Sequence, residues 1–191
     1  MYVVRTDFSG AGPTAPTRGA QGSLVLRSLE EPNSLVRFDM FETEGGARAA
    51  YGEAYLLLFE VKGSWMEAPS HAVYAAWRVS DLTQARAFER SRWELFALRR
   101  EVLATFAYDW LLKSLDGEGV YLVLGFYGDE AGATRLCREH PAYSELHKSA
   151  PGRGFLCNRP YRATLLSDRK CRRPIALERA ASLRTRSQLD G

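Results

Sequence analysis

His140 is one of three histidines in the chain and is the side chain best suited to accept a proton near neutral pH. It directly precedes Pro141, where we expect a helix to break and a side chain to reach the mouth of a pocket. We therefore assign His140 the role of general base. Arg92 and Tyr108 could donate hydrogen bonds to an oxygen that gains negative charge. The alternative is an exposed loop histidine and solvated arginines.

Aromatic side chains are the second group that could serve a site. Trp93 is the best single candidate for a ligand contact, because "ERSRWEL" places it among charged residues of a predicted helix. The other members lie on predicted strands. Together they could line a flat pocket that stacks on a polycyclic ligand, or they could simply be core residues: Trp77, Trp93, Trp110, Tyr108 and Tyr127.

Several classes of site are absent from the sequence. The chain contains no nucleophile elbow, no phosphate-binding loop and no HExxH motif. Its 3 cysteines, Cys137, Cys157 and Cys171, are widely spaced and form no CxxC pair. We therefore expect neither a metal site nor a disulfide framework, and a reduced, cytoplasmic location. The N-terminus does not read as a signal peptide, and no apolar run is long enough to cross a bilayer.

The composition is that of an ordinary globular protein. The chain has 191 residues, of which 46% are hydrophobic and 26% charged, enough for one large domain or two small ones. The net charge of +3 is concentrated after Arg169, in "RKCRRPIALERAASLRTRSQLDG". Because the rest of the chain is close to neutral, we expect no nucleic-acid partner. The alternative of binding through the basic tail predicts salt-sensitive DNA affinity.

One stretch of the chain is nearly repeated. Residues Leu24–Ala47 align without a gap on Trp110–Ala133. The repeat predicts two copies of one small α+β unit in tandem, and its identical pairs are Leu26/Leu112, Ser28/Ser114, Leu29/Leu115, Glu44/Glu130, Gly46/Gly132 and Ala47/Ala133.

The predicted elements agree with a ferredoxin-like βαββαβ unit in the second half, residues 70–168. We expect strand His71–Val79, a long helix capped by Asp81 or Thr83, a hairpin, a second helix and a last strand, Tyr161–Ser167. The first half, residues 1–66, repeats this order, but the loop Ser9–Gly22 replaces its first helix. The apolar run "YLLLFEV" fits either a helix or a strand. Residues 169–191 form a basic tail.

The strands of the predicted hairpin are apolar on both faces, which an antiparallel sheet wetted on one side would not be. One face should meet the helices and the other a second sheet. We therefore expect an α+β fold in which antiparallel sheets with helices on one face close into a shared barrel. The alternative is pairing between two chains of a homodimer.

The second half resembles a known family through the residues "YDWLLKSLDGEGVYLVLGFYGDEAGATRLCREHPAYSEL". These are similar to the antibiotic biosynthesis monooxygenase (ABM) domains of the dimeric α+β barrel superfamily. The resemblance implies oxidation of an aromatic polyketide by molecular oxygen, with no cofactor or, in a ring-opening variant, with reduced flavin. Relatives that degrade heme use a histidine that would fall at Leu136 or Ala50 here, which argues against that activity.

The sequence therefore predicts an oxygenase for a small aromatic polyketide or polycyclic phenol. The dry aromatic pocket would bind the substrate, His140 would accept its proton, and Arg92 and Tyr108 would hold the oxygen. The alternative is a non-oxidative cyclase or a ligand-binding module on the same barrel, favoured by the scarcity of acid–base groups. We expect the second half to hold the working site, because the first half lacks the helix that would cover it.

Overall fold

The protein is an eight-stranded antiparallel β-barrel with a long helix packed on its outer surface. The computed structural model describes residues 1–10, 12, 15–133, 151–154 and 159–166. The strands are β1 (Tyr2–Ser9), β2 (Gly22–Ser28), β3 (Ser34–Phe41), β4 (Glu53–Lys62), β5 (His71–Arg78), β6 (Phe106–Ser114), β7 (Val120–Tyr127), β8 (Arg153–Gly154) and β9 (Arg159–Leu166). The helices are α1 (Glu44–Ala49) and α2 (Ala85–Val102).

The barrel closes within one chain, as the apolar strands predicted. Its strands follow the order β7-β6-β4-β1-β3-β2-β9-β5, and β5 pairs again with β7 to complete the ring. Two of these pairings join the halves of the chain, β4 with β6 and β2 with β9. The short β8 pairs with β5 outside the ring. The run "YLLLFEV", which the sequence left open, lies in strand β4.

The hairpins β2–β3 and β6–β7 have the same register at the positions that match in the repeat. Leu26 pairs with Val36, and Leu112 pairs with Leu122. The turns also match, since Ser28 Oγ accepts bonds from the amides of the residues two and three places on, at 3.2 and 3.0 Å. Ser114 Oγ accepts the same two bonds at 3.2 and 2.8 Å.

Equivalent caps begin the helical segments that follow these hairpins. Thr43 Oγ1 accepts a bond from Gly46 N at 3.1 Å at the start of α1. Asp129 Oδ1 accepts one from Gly132 N at 2.7 Å, where a further helical segment begins. The two halves of the chain differ between their first two strands, because α2 joins β5 to β6, whereas the described part of the Ser9–Gly22 connection contains no helix.

Two layers of apolar side chains follow from alternation along the strands. Residues such as Leu26, Phe38 and Leu124 fill the barrel interior. Alternate residues of β5, β6 and β7 point outward and pack under α2, which buries Phe88, Leu95 and Phe96 against them. Burial of such a side chain contributes about 1.5–3 kcal/mol each. No described helix is long and apolar enough to cross a membrane.

The buried side of α2 is not wholly apolar. Phe88 and Leu95 are buried, whereas Val102 is exposed. Two arginines instead complete the buried side, Arg92 and Arg99, and both face the barrel. A buried charged group must be held by specific partners, so the surface between α2 and the barrel is a candidate site.

Candidate functional site

The outward face of β5 and β7 beneath α2 has large side chains at its ends and small ones between them. Cross-strand partners along this face are Trp77 with Tyr121, Ala75 with Val123, Val73 with Gly125, and His71 with Tyr127. The small central residues leave room between the helix and the strands for side chains from other elements. The face is therefore a shallow floor with aromatic ends.

Arg92 from α2 lies over the Trp77 end of this floor. Its guanidinium carbon is 4.8 Å from the ring centroid of Trp77 and 5.3 Å from that of Phe88. The side chain is only 1% exposed. A desolvated guanidinium against aromatic faces gains cation–π stabilisation and acts strongly on any nearby negative charge.

Arg99, two turns further along α2, holds the carboxylate of Asp109 on β6. Its Nη1 donates to both Oδ1 and Oδ2 at 2.9 Å, and the Asp109 side chain is fully buried. Burial raises the pKa of Asp109 to about 6, although the positive charges of Arg99 and Arg92 act in the opposite direction. Asp109 is thus a carboxylate that takes or releases a proton near neutral pH.

Gly125 lets three polar groups meet on the floor. A methyl group at this position would lie 2.6 Å from Asp109 Oδ1, 2.8 Å from the Tyr127 hydroxyl oxygen and 3.1 Å from Arg99 Nη1. All three distances are shorter than a carbon–polar contact normally allows. Only glycine therefore permits this arrangement of carboxylate, phenol and guanidinium.

The edge of the floor beside Tyr127 carries a second titratable group, His71. Its Nδ1 lies 2.8 Å from Ser70 Oγ, which donates to the carbonyl of Gly128 at 2.6 Å. Burial lowers the pKa of His71 below its usual value. The imidazole is therefore mainly neutral at neutral pH, and within the described residues its Nε2 is buried without a hydrogen-bond partner.

The structure brings together three of the residues that the sequence singled out. Trp77 and Tyr127 belong to the cluster of buried residues under α2, and Arg92 lies against Trp77. Trp93 lies on α2 but is 52% exposed, away from this cluster. His140 lies outside the described residues, as does the basic tail.

Tyr108 and Trp110 lie on the other side of the sheet, in the barrel interior. Their ring centroids are 5.5 Å apart, and those of Tyr108 and Phe126 are 4.4 Å apart. Trp110 Nε1 donates to Glu60 Oε2 at 2.7 Å. The predicted aromatic set is therefore divided between two layers. Tyr108 and Trp110 pack on the interior side of the sheet, opposite the floor.

Sequence reasoning missed Arg99, Asp109 and Gly125. The available signal was the pair Arg92 and Arg99, which lie two turns apart on one side of a helix. A second signal was the single acid within the apolar strand "FAYDWLLKS". A charge in a strand that is apolar on both faces indicates a specific buried partner.

The matching face of the first half is different. Ser23 pairs with Asp39 in the β2–β3 register, at the place that Asp109 and Gly125 have in β6–β7. In β2–β3 the small residue is on the first strand and the carboxylate on the second, whereas in β6–β7 the order is reversed. The first half therefore has a buried acid at this level but not the glycine, and none of its described residues forms a helix that covers it.

Asp39 is held by groups of its own half. Its carboxylate accepts a bond from Thr17 N at 3.3 Å and further bonds from the hydroxyls of Thr17 and Ser23. Arg37 Nε lies 2.7 Å from Asp39 Oδ2. The loop that stands where the helix would be thus contacts this carboxylate directly, which makes Asp39 a structural group.

Three solved structures illustrate what this chain resembles. An anthrone oxidase-like protein matches with a TM-score of 0.62 at 11% identity, over 87% of this chain and 92% of that one. A monooxygenase-like protein from Listeria innocua gives 0.59 at 12%, over 85% and 93%. A heme-degrading enzyme from Listeria monocytogenes gives 0.54 at 10%, over 85% and 99%.

The chain has the fold of the antibiotic biosynthesis monooxygenase-like proteins. No protein-family model and no curated protein matches the sequence. At these identities the likeness establishes the ABM-like fold alone, because one fold hosts many activities. The activity must therefore be argued from the side chains under α2. Among the described residues, no group of three or more His, Cys, Asp or Glu side chains could hold a metal ion.

Proposed function

We propose that the protein is an oxygenase that acts on an electron-rich aromatic compound, such as an aromatic polyketide or a polycyclic phenol. The observation that carries this proposal is the pair of buried arginines, Arg92 and Arg99. They lie between α2 and the floor, which has aromatic side chains at its ends. Fixed cations in a dry site stabilise a phenolate or enolate far better than water-exposed ones do. The likeness to an anthrone oxidase-like protein supports the same class.

The proposed reaction uses the substrate as its own reductant. Loss of a proton from the substrate leaves an enolate, which gives its electrons to molecular oxygen. One oxygen atom remains on the substrate carbon as a quinone carbonyl and the other leaves as water. The protein needs no cofactor for this step, and oxidative ring opening with reduced flavin is a variant of the same proposal.

The roles of the residues follow from their positions. Trp77 would stack on the flat substrate, and Arg92 would hold the enolate oxygen. Tyr127 would bound the other end of the floor, while Tyr108 and Trp110 would support the sheet from the barrel interior. His140 is the proton acceptor that the sequence suggests, and it lies outside the described residues.

Heme degradation is the activity of one protein with this fold. The resemblance implies that the histidine of such relatives would fall near Ala50 or Leu136. Neither side chain carries an atom that can bind iron.

We further propose that the two halves arose by duplication of one ferredoxin-like unit and that a single site remains. The shared register of the two hairpins and the matching serine turns support the duplication. The contacts of Asp39 with its own loop support the loss of the first site.

The test uses 1,8-dihydroxyanthrone with purified protein in buffer free of metal and flavin. The oxygenase is supported if the anthraquinone forms in air with uptake of oxygen and does not form under nitrogen. An alternative is a non-oxidative cyclase or a ligand-binding module on the same barrel, which the scarcity of acid–base groups favours. Tight binding of the anthrone without oxygen uptake, with and without reduced flavin, would support that alternative.

A further inference from the structure

We propose that Asp109 is the catalytic base of this site, with Arg99 and Tyr127 as its positioning residues. The inference rests on the proposed function and deepens it, because it names the group that takes the substrate proton. It assigns this role to a carboxylate on β6 beneath α2 rather than to His140.

The placement of Asp109 is costly for a residue with a purely structural role. Its side chain is fully buried on β6, and the cross-strand residue on β4 is the apolar Val61. Breaking a buried ion pair is destabilising, but replacing a whole pair by apolar groups often is not. Packing of α2 on the sheet therefore does not require an acid and an arginine here. Asp39 is as buried as Asp109, but backbone and hydroxyl donors of its own half hold it, whereas Asp109 meets two arginines and a phenol beside a glycine. A chemical role explains that cluster.

The groups that face Asp109 set its charge. From α2 these are Arg99, in direct contact, and Arg92; from β7 it is the hydroxyl of Tyr127, at the level of Gly125. The cations favour the carboxylate, whereas burial favours the neutral acid and raises its pKa to about 6. A base whose pKa is near the working pH is deprotonated in a sufficient fraction of the molecules. It is also basic enough to take a proton from the substrate.

The proton balance of the step is complete. The substrate C–H bond breaks, an O–H bond forms on Asp109, and the electron pair stays on the substrate as the enolate. Molecular oxygen, the oxidant of the proposed reaction, then adds to the enolate carbon as a peroxide anion. Asp109 returns its proton to this anion, and loss of water from the hydroperoxide gives the quinone.

Asp39 provides a matched control. It is a buried acid beside an arginine at the same level of the other half, so Asp39→Asn removes a comparable carboxylate outside the proposed site. A general loss of stability should then affect both variants. Only Asp109→Asn should affect proton transfer.

The experiment follows formation of the enolate from 1,8-dihydroxyanthrone under nitrogen, by its absorbance, as a function of pH. We expect the wild type and Asp39→Asn to form it with an apparent pKa near 6. Asp109→Asn should be slower by about 100-fold or more, and Asp109→Glu should restore part of the rate. An unchanged rate in folded Asp109→Asn, or its loss in His140→Ala instead, would overturn the assignment.

A second measurement applies if Asp109→Asn does not fold. The carboxyl carbon of Asp109 is titrated by NMR in the wild type, with and without 1,8-dihydroxyanthraquinone. If the pKa of Asp109 changes when the anthraquinone binds, Asp109 lies in the ligand site, which supports the assignment. If the anthraquinone binds and the pKa of Asp109 does not change, the assignment is overturned. Because enolate formation is read without oxygen, an enolate that forms but consumes no oxygen in air would instead contradict the oxygenase proposal.

Discussion

Arg99 Nη1 donates to both carboxylate oxygens of Asp109, at 2.9 Å each, in a contact buried between helix α2 and strand β6. The helix supplies the cation and the strand supplies the acid. The contact therefore forms only when α2 lies on the barrel in its native position. This links the stability of the helix–sheet interface to the charge state of the proposed site.

The buried acid should leave a signature in the pH dependence of stability. The pKa of Asp109 is about 6 in the folded protein against 3.8 when unperturbed, so the folded state binds its proton more tightly. Proton binding at Asp109 therefore stabilises the folded state. This contribution to the free energy of unfolding is fully present below pH 3.8 and is lost as the pH rises through 6. The free energy of unfolding of the wild type relative to Asp109→Asn should thus fall over this window, by about 1.4 kcal/mol per unit of pKa shift. Urea unfolding at a series of pH values measures it, and a rising difference would contradict the shift.

Gly125→Ala should disrupt the site without removing any functional group. The added methyl overlaps Asp109 Oδ1 and the Tyr127 hydroxyl, so these groups must move apart. We expect a loss of about 1–3 kcal/mol in the free energy of unfolding and a marked fall in kcat with 1,8-dihydroxyanthrone. Gly45→Ala is the control, because a methyl there meets nothing within 4 Å. Full activity of folded Gly125→Ala would show that this arrangement is not needed.

Trp93→Ala separates ligand contact from packing. The side chain is 52% exposed, so its removal should change the free energy of unfolding by no more than about 0.5 kcal/mol. If Trp93 stacks on the outer rings of the substrate, as the sequence indicated, KM should rise several-fold while the fold persists. Steady-state kinetics with 1,8-dihydroxyanthrone measures it. An unchanged KM would remove Trp93 from the site, and an equal loss of stability and activity would indicate a packing role.

Matching serines test the equivalence of the two hairpins. Ser28→Ala and Ser114→Ala each remove an acceptor that receives two backbone N–H bonds. We expect each to cost about 0.5–1.5 kcal/mol per lost bond, with the larger effect at the buried Ser28. Chemical denaturation of the two variants provides the comparison. A cost at only one of the turns would argue against a common turn structure.

The sequence was sufficient for most strands and for the barrel, because alternation and turn residues are local signals. The repeat predicted which hairpins match, and the apolar faces of β6 and β7 predicted that both sides are covered. The run from Tyr55 to Val61 stayed ambiguous because β4 packs on the interior and under α2, which removes the alternation that identifies a strand.

The site was harder to predict, for two physical reasons. When both faces of a strand are apolar, alternation does not say which side chains face the interior, so Tyr108 and Trp110 were grouped with Trp77 and Tyr127. The partnership of Arg99 with Asp109 depends on how α2 lies across β6, which is a tertiary relationship. Arg92 was chosen for its residue type alone, as a possible oxyanion donor; the structure places it on the buried side of α2, and its role stays a prediction.

A crystal structure with a bound aromatic ligand would show whether the site lies beneath α2. A crystal structure of the protein with 1,8-dihydroxyanthraquinone should show the rings on the outward face of β5, β6 and β7 beneath α2, with an oxygen near Arg92 and the reacting carbon toward Asp109. A ligand inside the barrel beside Trp110, or on a surface remote from α2, would exclude the proposed site.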